Sequence, residues 1–381
     1  MAWFSSSKQG EAKKLVSQLS DANVDKRDRA AQELIRLGGD AVPALLDALQ
    51  TQDLNLLPIY EHLLARIPSA SPVMAKSLLT AHPLIRGRIA EVFAISKDKN
   101  ALLALIEALR GEYYTVRSRA AAALGKIGDP GAVEPLLGAL KDGEMEVRIA
   151  ACIALGHFKD PATFDELGNL LLEDSMIEVR QTAAKVLGAT KHPAAVPYLM
   201  DALRDSFWWY EREQAVRDLL AAIKNMGEPV VQPLIEALGD REGTVRKFAA
   251  MILGDLQDGR AIEELGMALY DLHHEVSQAA AQALARFGAP AIGVLEEALN
   301  HPEMWIRIHS VGALSKIKDT RIFPILLQML DDPEREVRRE VVRSLGELGD
   351  ARALPALQAV FSNRADRELQ ALAKEAMSKL N

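Results

Sequence analysis

Polar and apolar positions alternate along this chain with two nested periods. The short period is helical. Around Arg148 the apolar residues Val147, Ala151, Ala154 and Leu155 fall on one face of a 3.6-residue helix. The long period is about thirty residues. Three consecutive segments, starting at Glu112, Glu144 and Ser175, each read Val-Arg, an Ala-rich apolar run, a turn, a second apolar run and a polar break. Arginine serves as a ruler at Arg27, Arg86, Arg117, Arg148, Arg180, Arg212, Arg246, Arg307 and Arg338, with Ser277 and Gln370 at equivalent places. The pattern predicts an all-α, right-handed α-α superhelical solenoid of about twelve helix pairs, in which each pair buries its face against the next. It predicts one array over residues 1–381, with degenerate repeats at 51–100, regular repeats at 101–360 and a C-terminal capping helix at 361–381.

Local signals refine the unit. Gly125, Gly156 and Gly346 stand where a left-handed helix stop is expected. Asp129-Pro130 and Asp160-Pro161 open the next element. Pro58, Pro68, Pro72 and Pro83 mark the degenerate stretch, where the array is expected to bend or loosen. An aspartate stands six residues before the arginine in several units: Asp21/Arg27, Asp142/Arg148, Asp174/Arg180, Asp240/Arg246 and Asp332/Arg338. Such an Asp suits a helix start, and stacked Asp and Arg side chains suit a ladder of charge-assisted hydrogen bonds. Because the pair recurs, it reads as structural and not as acid–base machinery.

The segment VRSRAAAALGKIGDPGAVEPL, Val116 to Leu136, resembles the HEAT-repeat superfamily, and within it the short-unit subset named after phycobilisome lyases. The resemblance covers most of the chain. It implies the solenoid fold and leaves function open, because its members include chromophore lyase subunits, scaffolds and regulators.

Composition narrows the remaining choices. Of 381 residues, 49% are apolar and 26% charged, with a net charge of -8. That balance argues against a phosphate-backbone binder, which needs clustered Lys and Arg. The single cysteine, Cys152, permits no internal disulfide, in keeping with a cytoplasmic setting. On the Ala-rich helix it reads as a small buried hydrophobe. The start lacks a signal-peptide core, and no run of eighteen apolar residues predicts a membrane span.

Chemistry-bearing motifs are few. No phosphate loop, zinc-type Cys/His set or nucleophile elbow occurs. An iron site of the deoxyhypusine-hydroxylase kind would need several His-Glu pairs, and only His274-Glu275 has that order. No metal, cofactor or catalytic residue is therefore expected, and the balance leans away from an enzyme.

Two surfaces stand out. The turn before the ladder position is polar in the end units and aromatic or thioether-rich in the centre: Tyr113 and Tyr114, Met145, Met176 and Ile177, Trp208, Trp209 and Tyr210, Met304 and Trp305. His273 and His274 occupy the same place and read as solvated. These residues either staple each helix start or form a binding ridge. The second surface is the concave face. Positions one and five after the ladder residue read Ile149/Ile153, Gln181/Lys185, Glu213/Arg217, Lys247/Met251 and Arg339/Arg343, a run from apolar to basic. The candidate contacts are thus Tyr113, Tyr114, Ile149, Ile153, Trp208, Trp209, Tyr210, Arg217, Met251 and Trp305. The expected function is a protein–protein interaction scaffold for a protein or peptide partner, of unspecified oligomeric state. The alternatives are a bilin lyase or isomerase subunit, as the resemblance implies, and a HEAT-like nucleic-acid binder.

Overall fold

The computed structural model describes residues 2–210, 213–363 and 366–380, the side chains of residues 2–7, 209 and 210 excepted. Among these residues every regular element is an α-helix or a short 3₁₀ turn. The architecture is an α-α superhelical solenoid built from helix pairs. Two units are compact in themselves, Met1–Tyr198 and Leu199–Asn381.

One repeat explains the rest. The Arg148 helix, Met145–Phe158, buries Val147, Ala151, Cys152, Ala154 and Leu155. It ends at Lys159, whose backbone is left-handed at φ 52°. Asp160 then accepts the Ala162 N–H, and Pro161 opens a 3₁₀ turn, Pro161–Thr163. The second helix, Phe164–Glu173, buries Phe164, Leu167, Leu170 and Leu171. Asp174 closes the unit by accepting the Met176 N–H at 2.8 Å, and the next ladder helix, Ile177–Thr190, begins. Within each unit consecutive ladder helices pack on one another, as Tyr114–Ile127 does on Met145–Phe158 and Gly243–Leu256 on His274–Phe287.

The glycine expectation needs correction. Gly125, Gly156 and Gly346 lie inside their helices, which run on to Ile127, Phe158 and Leu348. The left-handed stop comes later, at Gly128, Lys159 and Gly349. Gly125 is there for closeness: a Cβ on it would stand 2.5 Å from Ala154 Cα of the next ladder helix. Gly346 has the same relation to Ala376, at 2.8 Å.

The degenerate stretch keeps the helix-pair form. Its four prolines all stand in the first turn of an element: Leu57–Ala65, Pro68–Ala70, Ser71–Thr80 and Pro83–Ser96. There the missing N–H has no intrahelical partner to lose. At the C-terminus, Arg367–Leu380 buries Ala373 and Ala376.

Candidate functional site

The recurrent Asp and Arg residues join successive repeats. Arg117 Nε and Nη2 donate to Asp142 Oδ2 and Oδ1 at 2.7 and 2.8 Å. Arg148 binds Asp174 in the same bidentate way, at 2.7 and 2.9 Å. So do Arg246 with Asp271 and Arg307 with Asp332. The remaining Nη1 of each arginine turns back to its own turn, as Arg148 does to the carbonyls of Asp142 and Gly143. Asp142, Asp174 and Asp332 therefore serve twice. Their carboxylates take the arginine of the preceding repeat, and their carbonyls take the arginine of their own. The Arg307–Asp332 side chains are only 8% and 4% exposed, so this is a desolvated pair and not a surface decoration. Burial pushes the Asp142 carboxyl up, but the Arg117 hydrogen bond and the Glu144 N–H bring it below its ordinary value overall.

Two details differ from the sequence reading. The aspartate is not the helix N-cap. Asp142 accepts the N–H of Glu144, and Glu144 is the residue at the cap position. Asp240 is held by Arg204 at 2.9 Å, from a short helix of the preceding repeat. Arg180 and Arg338 donate to the carbonyls of Asp174 and Asp332 at 2.6 Å each. Arg212 lies outside the described residues.

The turn residues divide. Tyr113 and Tyr114 stand 44% and 43% exposed, and Met176 is exposed as well. Trp208 does the opposite. It is fully buried, with Phe207 edge-on at 6.5 Å, and its indole N–H has no partner among the described residues. It lies within the short helix Ser206–Tyr210, faces inward, and is removed from the candidate contacts. The side chains of Trp209 and Tyr210 lie outside the description. Trp305 is half-buried.

On the ladder-helix face, Ile153 and Met251 are exposed and Ile149 is half-buried. Arg217 is paired with Glu213 on its own helix. The expected basic end is internally neutralised. Arg339 meets Glu336 and Glu368, and Arg343 meets Glu340.

One joint lacks both members of the ladder. Ser277 stands at the arginine position, fully buried. Asp271, six residues before it, is retained and occupied by Arg246. The carboxylate that an arginine at 277 would have met is absent too: His301 stands six residues before Arg307 and supplies only its carbonyl to that side chain, at 2.8 Å. Both halves of the rung are thus missing together. In their place, Ser277 Oγ lies 3.2 Å from His309 Nδ1, and His309 Nε2 lies 3.1 Å from His274 Nε2. Trp305 packs 5.9 Å from the His309 ring and 6.2 Å from that of His274. Tyr270 stacks on His301 at 5.0 Å. Burial, then the neighbouring His274, pulls His309 down to about 4. A cleft of about 320 Å³ opens beside the pair, lined by His274, Gln278, Gln282, His309, Lys316 and Glu340 among others. Sequence reasoning marked Ser277 but passed over His301 and His309. The loss of the aspartate at 301 was the available signal.

Cys152 is fully buried, and burial pushes its thiol pKa far upward. Among the described residues no helix is long and apolar enough to cross a membrane, and no cluster of three or more metal-ligating side chains occurs.

Comparison with known proteins agrees with this architecture. The HEAT-repeat family profile matches residues 71–145, 135–220, 231–307 and 292–378. No curated protein matches the sequence. Among solved structures, Kap121p bound to Pho4p superposes with a TM-score of 0.59 at 14% identity, covering 98% of this chain and 50% of that one. Kap121p bound to Nup53p gives 0.59 at 13% identity, over 98% and 49%. Kap95p, in a structure with RanGDP, gives 0.55 at 13% identity, over 97% and 60%. The chain thus spans about half the length of Kap121p. At these identities the likeness is one of fold.

Proposed function

This chain belongs to the HEAT-repeat family, and on that premise we propose that it is a non-catalytic scaffold that holds a protein or peptide partner along its ladder-helix face and the adjoining turns. The observation that carries the proposal is a division of labour among side chains. Many of the recurrent charges are consumed by the joints between repeats, whereas Tyr113, Tyr114, Ile153 and Met176 of the first unit remain exposed at repeat-equivalent places. Exposed aromatic and thioether side chains are the usual anchors of protein interfaces. The solved structures of similar fold include Kap121p bound to Pho4p and to Nup53p.

The test is a triple substitution, Tyr113→Ser, Tyr114→Ser and Ile153→Ser, followed by affinity purification with quantitative mass spectrometry beside the native chain. Helical circular dichroism is expected to stay unchanged while specifically retained proteins fall at least tenfold. An unchanged set of retained proteins from a folded variant ends the proposal. The bilin-lyase alternative draws no support from Cys152, which is sealed in the core. Mixing the chain with a bilin is expected to leave the visible absorption band where it was.

A further inference from the structure

We propose that His274 and His309 form a two-histidine site for a divalent transition-metal ion of the copper, nickel or zinc kind, placed at the joint where the Asp/Arg ladder is interrupted.

The geometry comes first. The two Nε2 atoms face each other at 3.1 Å. A metal about 2.0–2.1 Å from each nitrogen would see them at an angle of roughly 95–100°, a value suited to neighbouring ligands in tetrahedral or square arrangements. Each imidazole has one lone pair to offer, and with both rings neutral the close contact requires a single shared proton. A divalent cation takes the place of that proton, which moves to Nδ1 of the ring that carried it, and both Nε2 lone pairs are then used.

The surroundings support the same reading. The ligands come from two packed helices, His274–Phe287 and Met304–Leu314, so the scaffold fixes their separation. Ser277 Oγ lies against His309 Nδ1 at 3.2 Å, the kind of outer contact that sets the orientation of a metal-bound imidazole. Serine at this position also removes a cation. In other repeats a guanidinium stands here, and its charge beside the imidazoles would oppose a metal ion. His274 is exposed toward the cleft, and Trp305 lies beside both rings.

The neighbouring acidic residue is otherwise engaged: Glu275 is bound by Lys247 at 2.5 Å. Among the described residues no third His, Cys, Asp or Glu joins the pair. The remaining coordination positions fall to water or to a donor from a bound molecule. A two-nitrogen set favours copper, nickel and zinc over magnesium and calcium, which prefer oxygen ligands. Bound there, the ion would tie the Ser277 repeat to the Arg307 repeat in place of the missing ion pair.

The test is calorimetric titration of the chelator-treated full chain with copper, nickel and zinc chlorides, with magnesium as control. One ion per chain is expected, tightest for copper, with no heat from magnesium. His274→Ala, at an exposed position, is expected to lose the site with its fold intact, and His309→Gln to lose it also. His273→Ala is expected to keep it. Copper should quench the native chain's tryptophan fluorescence, and Trp305→Phe should remove much of that quenching. Ser277→Ala should weaken binding about tenfold through loss of orientation. Absence of binding, binding that survives both His274→Ala and His309→Gln, or a loss in His273→Ala as large as in His274→Ala would each overturn the assignment.

Discussion

The joint at Arg148 and the joint at Ser277 use the same helix packing and opposite polar chemistry. At the first, a part-buried bidentate ion pair, Arg148–Asp174, spans two repeats and ties a third group, the Asp142 carbonyl, into the same guanidinium. At the second, arginine and aspartate are both gone, and Ser277, His309, His274 and Trp305 fill the place with uncharged or weakly basic groups. The helices stack at both. Apolar contact between Ala and Leu faces therefore builds the array, and the ladder is an addition to it. A single unpartnered Arg or Asp at the second joint would leave a buried charge uncompensated.

The degenerate stretch shows a third solution. The helix Leu57–Ala65 carries no ladder arginine, and Arg88 of the following ladder helix reaches back instead. It donates to the carbonyls of Leu49 and Thr51, the latter at 2.9 Å. Beside it, Glu61 is buried with one carboxylate oxygen lacking a partner. Burial, then the like charge of Glu91, raises its pKa from 4.5 to about 7, against the pull of Arg88 and His62.

The contrast between joints can be broken by measurement, and the largest effect should fall on the complete one. Arg148→Ala leaves Asp174 desolvated and unpaired, and a loss of about 3–5 kcal/mol is expected in urea unfolding. A loss no greater than at the Ser277 joint would remove the distinction. Next in size is a pH effect in the degenerate stretch. A carboxyl raised in the folded state holds its proton where the unfolded chain has released it. Stability should therefore fall as pH rises from about 5 to 7 and level off above, by on the order of 1–3 kcal/mol. Glu61→Gln should flatten that slope, and a native chain whose melting temperature does not move across this range would refute the assignment. The smallest effect belongs to Ser277→Ala, which removes one neutral hydrogen bond. Less than about 1 kcal/mol is expected in the same urea experiment.

Much of this was readable from residues alone, for a physical reason. A repeat presents the same burial problem many times, so Val-Arg, the Ala run and Asp-Pro recur until chance is excluded. The fold and the Asp/Arg pairs were legible on that ground. Gly125 misled because a small residue near a helix end signals two different needs, a left-handed stop or close approach, and only the neighbouring Ala154 decides between them. Trp208 misled because an aromatic residue between two helical runs has no sequence mark for facing in or out; here it stands on the short helix Ser206–Tyr210 and faces in. The His274–His309 pair was hidden for another reason. Its members are 35 residues apart and meet only once one repeat is stacked on the next.

The glycines within the ladder helices carry a last consequence. Gly125 and Gly346 act as hinge-pin clearances: with hydrogen in place of methyl, two backbones touch, and the tilt between them is fixed by bare main chain. Because each repeat rests on the one before, a wedge one carbon wide would be inherited by every later repeat of the same unit. Gly125→Ala should therefore redirect the helices beyond it before it unfolds any of them.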